Sequence, residues 1–246
     1  MAPDLLRRIA APVREFGWAA GMLYSIDRVL RRVSPRLGLY VYEFMVQPIG
    51  NKPLLPASLS KNLSFQEIGR GHADIALMPA REAIKDQRFD QGARCIGAYR
   101  KGQLIGYLWY CTDRYIEDEV RCTYELTDSE QSVFDFDLYV LPEHRMGVAF
   151  LGVWHGVNEM LAPRGVRHTF SRMTRFNSAS RRAHARLGSK RVGRGVFLQA
   201  WGLEVMVATL APFLGFTFGV GQRITLRLRP NLLAASRAQA AGHSAG

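Results

Sequence analysis

Hydrophobic and polar residues alternate from residue 134 to 140, in the order Phe-Asp-Phe-Asp-Leu-Tyr-Val. Because successive side chains of a strand point to opposite faces, this alternation predicts a strand with one apolar and one polar face. Asp135, Asp137 and Tyr139 are expected on the polar face, and the two phenylalanines with Leu138 on the other.

Helical spacing of apolar residues predicts helices at 149–161 and 178–187, with a short strand at 168–173 between them. A strand–helix–strand unit is expected to be a right-handed crossover, so its two strands should be parallel neighbours. The other predicted elements are helices at 5–33 and 80–89, a hairpin of 95–99 and 104–110, and strands at 39–47, 65–68, 120–126, 196–201 and 224–228. This order predicts an α/β (mixed α+β) fold, with a mixed, largely antiparallel sheet and helices on both faces.

The predicted elements divide the chain into a basic helical extension, a central domain, an apolar segment with a late strand, and a disordered tail, at 1–36, 37–202, 203–233 and 234–246. The stretch 205–220 is apolar but shorter than the roughly 20 residues that a membrane-spanning helix needs. We therefore interpret it as buried core or as a segment at the surface or membrane edge. The basic 5–33 helix has two interpretations: it docks on a membrane or partner, or it packs on the domain with its arginines solvated.

The chain of 246 residues carries 33 Lys and Arg against 21 Asp and Glu, a formal net charge of +12. Such an excess indicates nucleic acid, an anionic membrane surface or a polyanionic small ligand as partner. No helix-turn-helix, zinc-finger or RNP pattern occurs, so nucleic acid is the least expected of the three.

The three cysteines, Cys95, Cys111 and Cys122, have neither metal-binding nor paired spacing. Their apolar neighbours predict buried thiols, typical of a reducing cytoplasm. No metal site is expected, and the start of the chain lacks the sustained apolar core of a signal peptide. The expected location is the cytoplasm, with the inner face of the membrane as a further option.

The turn after the 134–140 strand leads directly into the helix at 149. Free N–H groups at a helix start, with the positive end of the helix dipole, favour a bound phosphate. Gly147 and Ala149 leave room for close approach of a ligand, and Arg145 adds positive charge. The turn therefore predicts a phosphate site, although such turns are also common as plain connections.

The helix from 178 follows Asn177, a typical N-cap residue, and ends at Leu187-Gly188, a typical helix stop. Basic residues are dense on this helix and after it: Arg181, Arg182, Arg186, Lys190, Arg191 and Arg194. One or two of them are expected to contact a ligand phosphate, and the others to be solvated.

These two segments resemble the cofactor half of the GNAT superfamily of acyl-CoA-dependent acyltransferases. The first reads Val-Leu-Pro-Glu at 140–143, then His144-x-x-Gly147-x-Ala149, with His144 where the family usually has Gln or Arg. The second reads Asn177, a small residue three positions on, a histidine where the family has Tyr, and Leu-Gly at the end. The resemblance covers about 65–201.

The resemblance implies that acetyl-CoA or another acyl-CoA lies between two splayed parallel strands. Its diphosphate would lie at His144, Arg145, Gly147 and Ala149, and its pantetheine arm at Asn177 and Ser180. A backbone N–H of the Val140 segment would hold the acyl oxygen as charge develops on it. His184, at the Tyr position, would protonate the departing thiolate, since an imidazolium can donate a proton near neutral pH.

A general base is expected on the 134–140 strand. Asp135 and Asp137, two residues apart on one face, should raise each other's pKa and accept the proton of an amine, unless they form a paired or solvent-facing acidic patch. A second acidic cluster at 115–121 is a candidate lining of the acceptor pocket, unless it is simply solvated. Glu43 and Gln47 are further candidates.

The sequence leaves three functions open. The first is an N-acyltransferase that moves an acyl group, expected to be acetyl, from acyl-CoA to a small-molecule amine by direct attack. The second is a long-chain acyltransferase that takes its acyl group from acyl carrier protein, which the basic surface would suit. The third is a non-catalytic basic module that binds nucleic acid or anionic lipid.

Overall fold

The computed structural model describes residues 13–14, 16–50, 52–145, 148–219 and 221–229. Its helices are α1 Trp18–Val33, α2 Ala57–Ser60, α3 Glu82–Asp90, α4 Ala149–Leu161 and α5 Ser178–Arg186. Its strands are β1 Leu37–Pro48, β2 Leu63–Glu67, β3 Arg94–Arg100, β4 Gln103–Cys111, β5 Arg114–Ile116, β6 Cys122–Leu126, β7 Ser132–Val140, β8 His168–Thr174, β9 Lys190–Ala200, β10 Leu203–Ala208, β11 Leu214–Phe218 and β12 Ile224–Leu228.

The chain forms two compact units. Unit one comprises Met1–Gln47, Ile116–Glu125 and Arg172–Gly246, and unit two comprises Pro48–Tyr115 and Leu126–Ser171. The predicted tail at 234–246, and residues 1–12 and 15 of the 1–36 extension, lie outside the described residues. Helix α1 begins at Trp18, after Gly17 at a φ of 83°.

Unit two is a mixed sheet in the order β8-β7-β4-β3-β2. Neighbours from β2 to β7 run antiparallel, and β7 runs parallel to β8. The predicted hairpin is present, and its turn residues Lys101 and Gly102 both adopt positive φ. The predicted parallel pair and the mixed, largely antiparallel sheet are confirmed.

Helices cover both faces of this sheet. On one face α4 packs so closely that a Cβ at Gly106 would lie 2.8 Å from Val153. On the other face, the α3 residue Phe89 packs edge-on against Trp109, with ring centroids 4.9 Å apart. Each helix buries side chains on its own face of the sheet, and β7 lies in the sheet between the two helix layers.

The pairing of β7 with β8 is short. It joins Ser132–Phe134 to His168–Phe170 and extends no further, although β7 continues to Val140. From Asp135 onward, β7 pairs with β4 on its other edge. The second half of β7 therefore has one edge available for hydrogen bonds to something other than β8.

Unit one contains the antiparallel strands β11-β10-β9-β1 and the paired strands β6 and β12. One face of the four strands is packed on the β6–β12 pair, with Phe44 against Tyr124 and Gly215 against Ile224. The 205–220 stretch, interpreted from sequence as buried core or surface, forms β10 and β11 with one side buried and the other exposed. Among the described residues, no helix is long and apolar enough to cross a bilayer.

Candidate active site

Strand β7 carries a bulge at Asp137. Tyr107 pairs with Tyr139 and Trp109 with Phe136, so one β4 residue faces two residues of β7. Asp137 adopts a φ of 48°, the left-handed conformation that a bulged position allows. The bulge interrupts the alternation on which the predicted polar face depended.

Asp135 and Asp137 consequently do not share a face, and that prediction is wrong. The Asp137 carboxylate forms an ion pair with Arg88. The Arg88 guanidinium lies 5.3 Å from the ring centre of Phe136, which places Asp137 on the phenylalanine side of the strand. An arginine on α3 thus neutralises one of the two predicted bases.

Asp135 lies at the position where β7 stops pairing with β8. Its side chain is buried, and its Oδ1 has no hydrogen-bond partner among the described residues. Burial raises the pKa of Asp135 to about 7, while the Thr169 hydroxyl acts in the opposite direction. The cause is burial rather than the neighbouring carboxylate that the sequence suggested, but the result is still a carboxyl group poised near neutral pH.

The turn after β7 is a single 3₁₀ turn, Pro142–His144, and α4 begins at Ala149 as predicted. Gly147 lies outside the described residues. Arg145 folds back on the strand: its Nε donates to the Val140 carbonyl oxygen at 3.1 Å and its guanidinium covers Tyr139. The Arg145 side chain thus lies along the end of β7.

A cavity of about 170 Å³ lies at this start of α4. Its lining comprises Leu59, Leu63, Arg100, Ile105, Glu143, His144, Val148 and Ala149. Arg100, at the end of β3, was not a sequence candidate, because nothing in its hairpin marks it as close to a turn some 45 residues away. Arg100, His144 and a helix start therefore lie around one cavity and favour an anionic group, whereas the Glu143 carboxylate in the same lining opposes one.

The second predicted segment belongs to unit one. Asn177 caps α5, and its Oδ1 accepts a hydrogen bond from the Ser180 backbone N–H at 3.0 Å. This is the structural role that the sequence also allowed for Asn177. The α5 segment is thus described in unit one, and the β7 and α4 residues in unit two.

His184 is buried, and its Nδ1 lies 3.0 Å from the Gln47 Oε1. Burial lowers the pKa of His184 to about 4. The ring is therefore neutral at pH 7, so the expectation that it donates as an imidazolium near neutral pH is wrong. A role at the thiolate would have to use the neutral ring.

Two further sets of candidates form buried ion pairs in unit one. Glu43 is almost fully buried and is surrounded by arginines at 2.7–3.7 Å: Arg175, Arg181, Arg191 and Arg194. In the 115–121 cluster, Glu117 binds Arg172 through two bonds of 2.7 Å. These carboxylates thus form ion pairs within unit one, and Arg172 was missed because its partner lies 55 positions away in the chain.

The three cysteines are buried, as predicted. Burial raises the pKa of the Cys111 thiol to about 12, and raises the pKa of Cys95 and Cys122 as well. Neutral thiols are poor nucleophiles, so burial disfavours a nucleophilic role for these cysteines. In the described part of the chain, no group of three metal-ligating side chains occurs.

No protein-family model matches the sequence, and no curated protein matches it. Among solved structures, a functionally unknown conserved protein from Staphylococcus epidermidis matches with a TM-score of 0.45 and 12% identity, over 70% of this chain and 64% of that one. A tandem GNAT protein from the clavulanic acid biosynthesis pathway matches with a TM-score of 0.45 and 16% identity, over 66% of this chain and 53% of that one.

An aminoglycoside N-acetyltransferase, AAC(6')-Iy, in complex with CoA matches with a TM-score of 0.35 and 18% identity, over 51% of this chain and 90% of that one. The chain spans less than two thirds of the first two proteins, and at these identities the likeness concerns the fold alone. The mixed sheet with its short parallel pair agrees with the fold that the sequence predicted.

Proposed function

We propose that the protein is an N-acyltransferase that moves an acyl group from acyl-CoA to an amine. The observation that carries the proposal is the edge of β7 from Asp135 to Val140, which continues past its pairing with β8 and leads into the start of α4. An extended ligand with two amides, such as a pantetheine arm, can hydrogen-bond to such an edge as an added strand does.

The donor's diphosphate would lie at the N-terminal end of α4, with His144 and Arg100 nearby. Helix-start N–H groups and cationic side chains both favour its negative charge. Acetyl is the proposed acyl group.

In the transfer step, the amine nitrogen attacks the thioester carbonyl carbon. A carbon–nitrogen bond forms, the carbonyl oxygen takes the negative charge, and a backbone N–H near Val140 stabilises it. Asp135, ionised above its raised pKa, accepts the amine proton directly or through water. The carbon–sulfur bond then breaks, and the thiolate leaves and takes up a proton from water.

The cavity lining gives a test of donor binding. Arg100→Glu should weaken the affinity for acetyl-CoA about tenfold or more, because it replaces attraction to the diphosphate by repulsion. Lys101→Glu is the matched control: it makes the same charge change one residue further along the hairpin, outside the cavity lining. Calorimetric titration measures both, and equal weakening would remove the cavity from the proposed site.

His184 needs a test of its own, because the geometry gives it a packing role that does not depend on catalysis. His184→Ala should lower the melting temperature, since it leaves the buried Gln47 amide without the ring. If His184 also protonates the thiolate, kcat should fall while the KM for acetyl-CoA stays the same. Unchanged kcat per folded molecule would assign the residue to packing alone.

A donor carried on acyl carrier protein is the second candidate. Unit one contains 20 of the 33 Lys and Arg but 9 of the 21 Asp and Glu, a net charge of +11, and unit two contains the remaining +1. A strongly basic surface would suit an acidic carrier. Comparison of acetyl-CoA with long-chain acyl-CoA and acyl carrier protein as donors, with thiol release as the readout, separates the two.

A further inference from the structure

Exposed apolar side chains are concentrated in unit one. Of the 15 exposed large hydrophobic side chains of the described residues, 13 lie there. They are Trp18, Met22, Ile26, Val29 and Val33 of α1, and Leu198, Trp201, Leu203, Val207, Phe213, Leu214, Phe216 and Phe218 on or beside β9–β11. Single exposed apolar residues are ordinary, whereas a contiguous set marks an interaction surface.

The strand register shows that the second group forms one continuous surface. Leu39, Leu198, Val205 and Phe216 are successive cross-strand partners from β1 to β11. The exposed fraction is 8% at Leu39, 42% at Leu198 and 76% at Phe216, and Val205 between the last two is half-buried. The same face is thus covered at β1 and open at β11.

Two parallel rows repeat this pattern. Val207 with Leu214 and Leu203 with Phe218 are cross-strand pairs, and all four side chains are exposed. The opposite face of these strands is buried, as Phe197, Met206 and Thr217 show. We call the side chains of Leu198, Leu203, Val207, Leu214, Phe216 and Phe218 the open face.

Positive charge borders the open face. Arg194 pairs with Glu43 in the strand register and lies on the same side of β9 as Leu198. Around Glu43, four partly exposed arginines oppose one carboxylate, a local net charge of +3. Each guanidinium has five N–H donors, so this cluster retains donors for a further anion.

We propose that unit one docks on an anionic lipid bilayer, with the open face entering the interface and the arginines around Glu43 binding lipid phosphates. Apolar and aromatic side chains bordered by arginines match the boundary between acyl chains and anionic headgroups. A second copy of this chain would bring two units of net charge +11 together, which opposes self-association. Nucleic acid would be attracted by the charge but would leave the leucines and valines of the open face in water.

Vesicle flotation with the full chain tests the proposal. The protein should float with vesicles of phosphatidylcholine and phosphatidylglycerol, much less with phosphatidylcholine alone, and less as the salt concentration rises. Phe216→Ser combined with Phe218→Ser should lower the partition coefficient about tenfold or more, since both rings are exposed and the change removes two apolar anchors.

The control is Leu77→Ser in unit two, an exposed apolar residue outside the open face, which should float as the unaltered protein does. Arg191→Gln with Arg194→Gln tests the charge independently and should reduce binding to the anionic vesicles only. Overturning results are an absence of flotation, equal flotation of the serine double variant, or a dimer in light scattering that the same double variant dissociates. Salt-sensitive DNA binding without vesicle binding would assign the charge to nucleic acid instead.

Discussion

Asp135→Asn is expected to lower kcat by about a thousandfold while raising the stability of the folded protein at alkaline pH. A positioned general base typically contributes a factor of roughly 10² to 10⁴, and the Asn side chain has the same shape but cannot accept the amine proton. On the proposed function, the unaltered protein should gain activity as the pH rises through about 7, the raised pKa of Asp135. The variant should lose this rise and keep its affinity for acetyl-CoA.

The stability effect follows from the same pKa. The folded-state pKa of Asp135 is about 7 against 3.8 for an ordinary aspartate, so folding favours the protonated form. Its contribution to stability is greatest below pH 3.8, decreases as the pH rises toward 7, and stays low above that. The stability gain of Asp135→Asn over the unaltered protein should therefore grow between pH 4 and 7 and level off at up to roughly 4 kcal/mol.

Urea unfolding at several pH values, alongside initial rates, measures both effects. If Asp135→Asn loses activity and gains stability, the ionised Asp135 carboxylate destabilises the fold but is needed for activity. Asp137→Asn is the comparison, since it breaks the ion pair with Arg88 and should destabilise instead. A catalytic loss confined to Asp137→Asn would transfer the base role to that residue.

Arg172→Met is expected to have the largest effect on folding. Glu117 is fully buried, and Arg172 meets it with two hydrogen bonds and also contacts Glu119 at 2.7 Å. Removal of one partner of such a pair leaves an uncompensated buried charge, which costs about 3–5 kcal/mol. Unit one should therefore unfold at a much lower urea concentration.

The double variant Arg172→Met with Glu117→Gln is the control. It removes both charges together and should recover most of the lost stability, because the buried carboxylate is then absent. If the double variant is as unstable as Arg172→Met alone, the two side chains do not act as a pair. If the Arg172→Met variant unfolds at the same urea concentration as the unaltered protein but loses activity, the 115–121 cluster lines the acceptor pocket, which is the role that the sequence suggested for it.

Local patterns predicted the elements around the site well. Three features depend only on residues that are close in sequence: the alternation at 134–140, the helix start at Ala149 and the Asn177 cap. The structure has β7, α4 and α5 at these positions. The parallel arrangement of β7 and β8 followed from the handedness of a crossover.

The failures have a common physical origin, since each depends on partners distant in the chain. The bulge at Asp137 arises in the register with β4, and Arg88 reaches Asp137 from 49 positions away. Burial under the packed elements, which a single sequence does not show, sets the pKa of both Asp135 and His184. The sequence thus identified the candidate residues but not their protonation states.

Backbone amide hydrogen exchange with and without acetyl-CoA tests the central claim most directly. Acetyl-CoA should slow exchange in the second half of β7, from Asp135 to Val140, and at the first turn of α4. Exchange at Ser132–Phe134, which already pairs with β8, should not change. Unchanged exchange along Asp135–Val140 in the presence of bound acetyl-CoA would contradict the proposal that the donor lies along this strand edge.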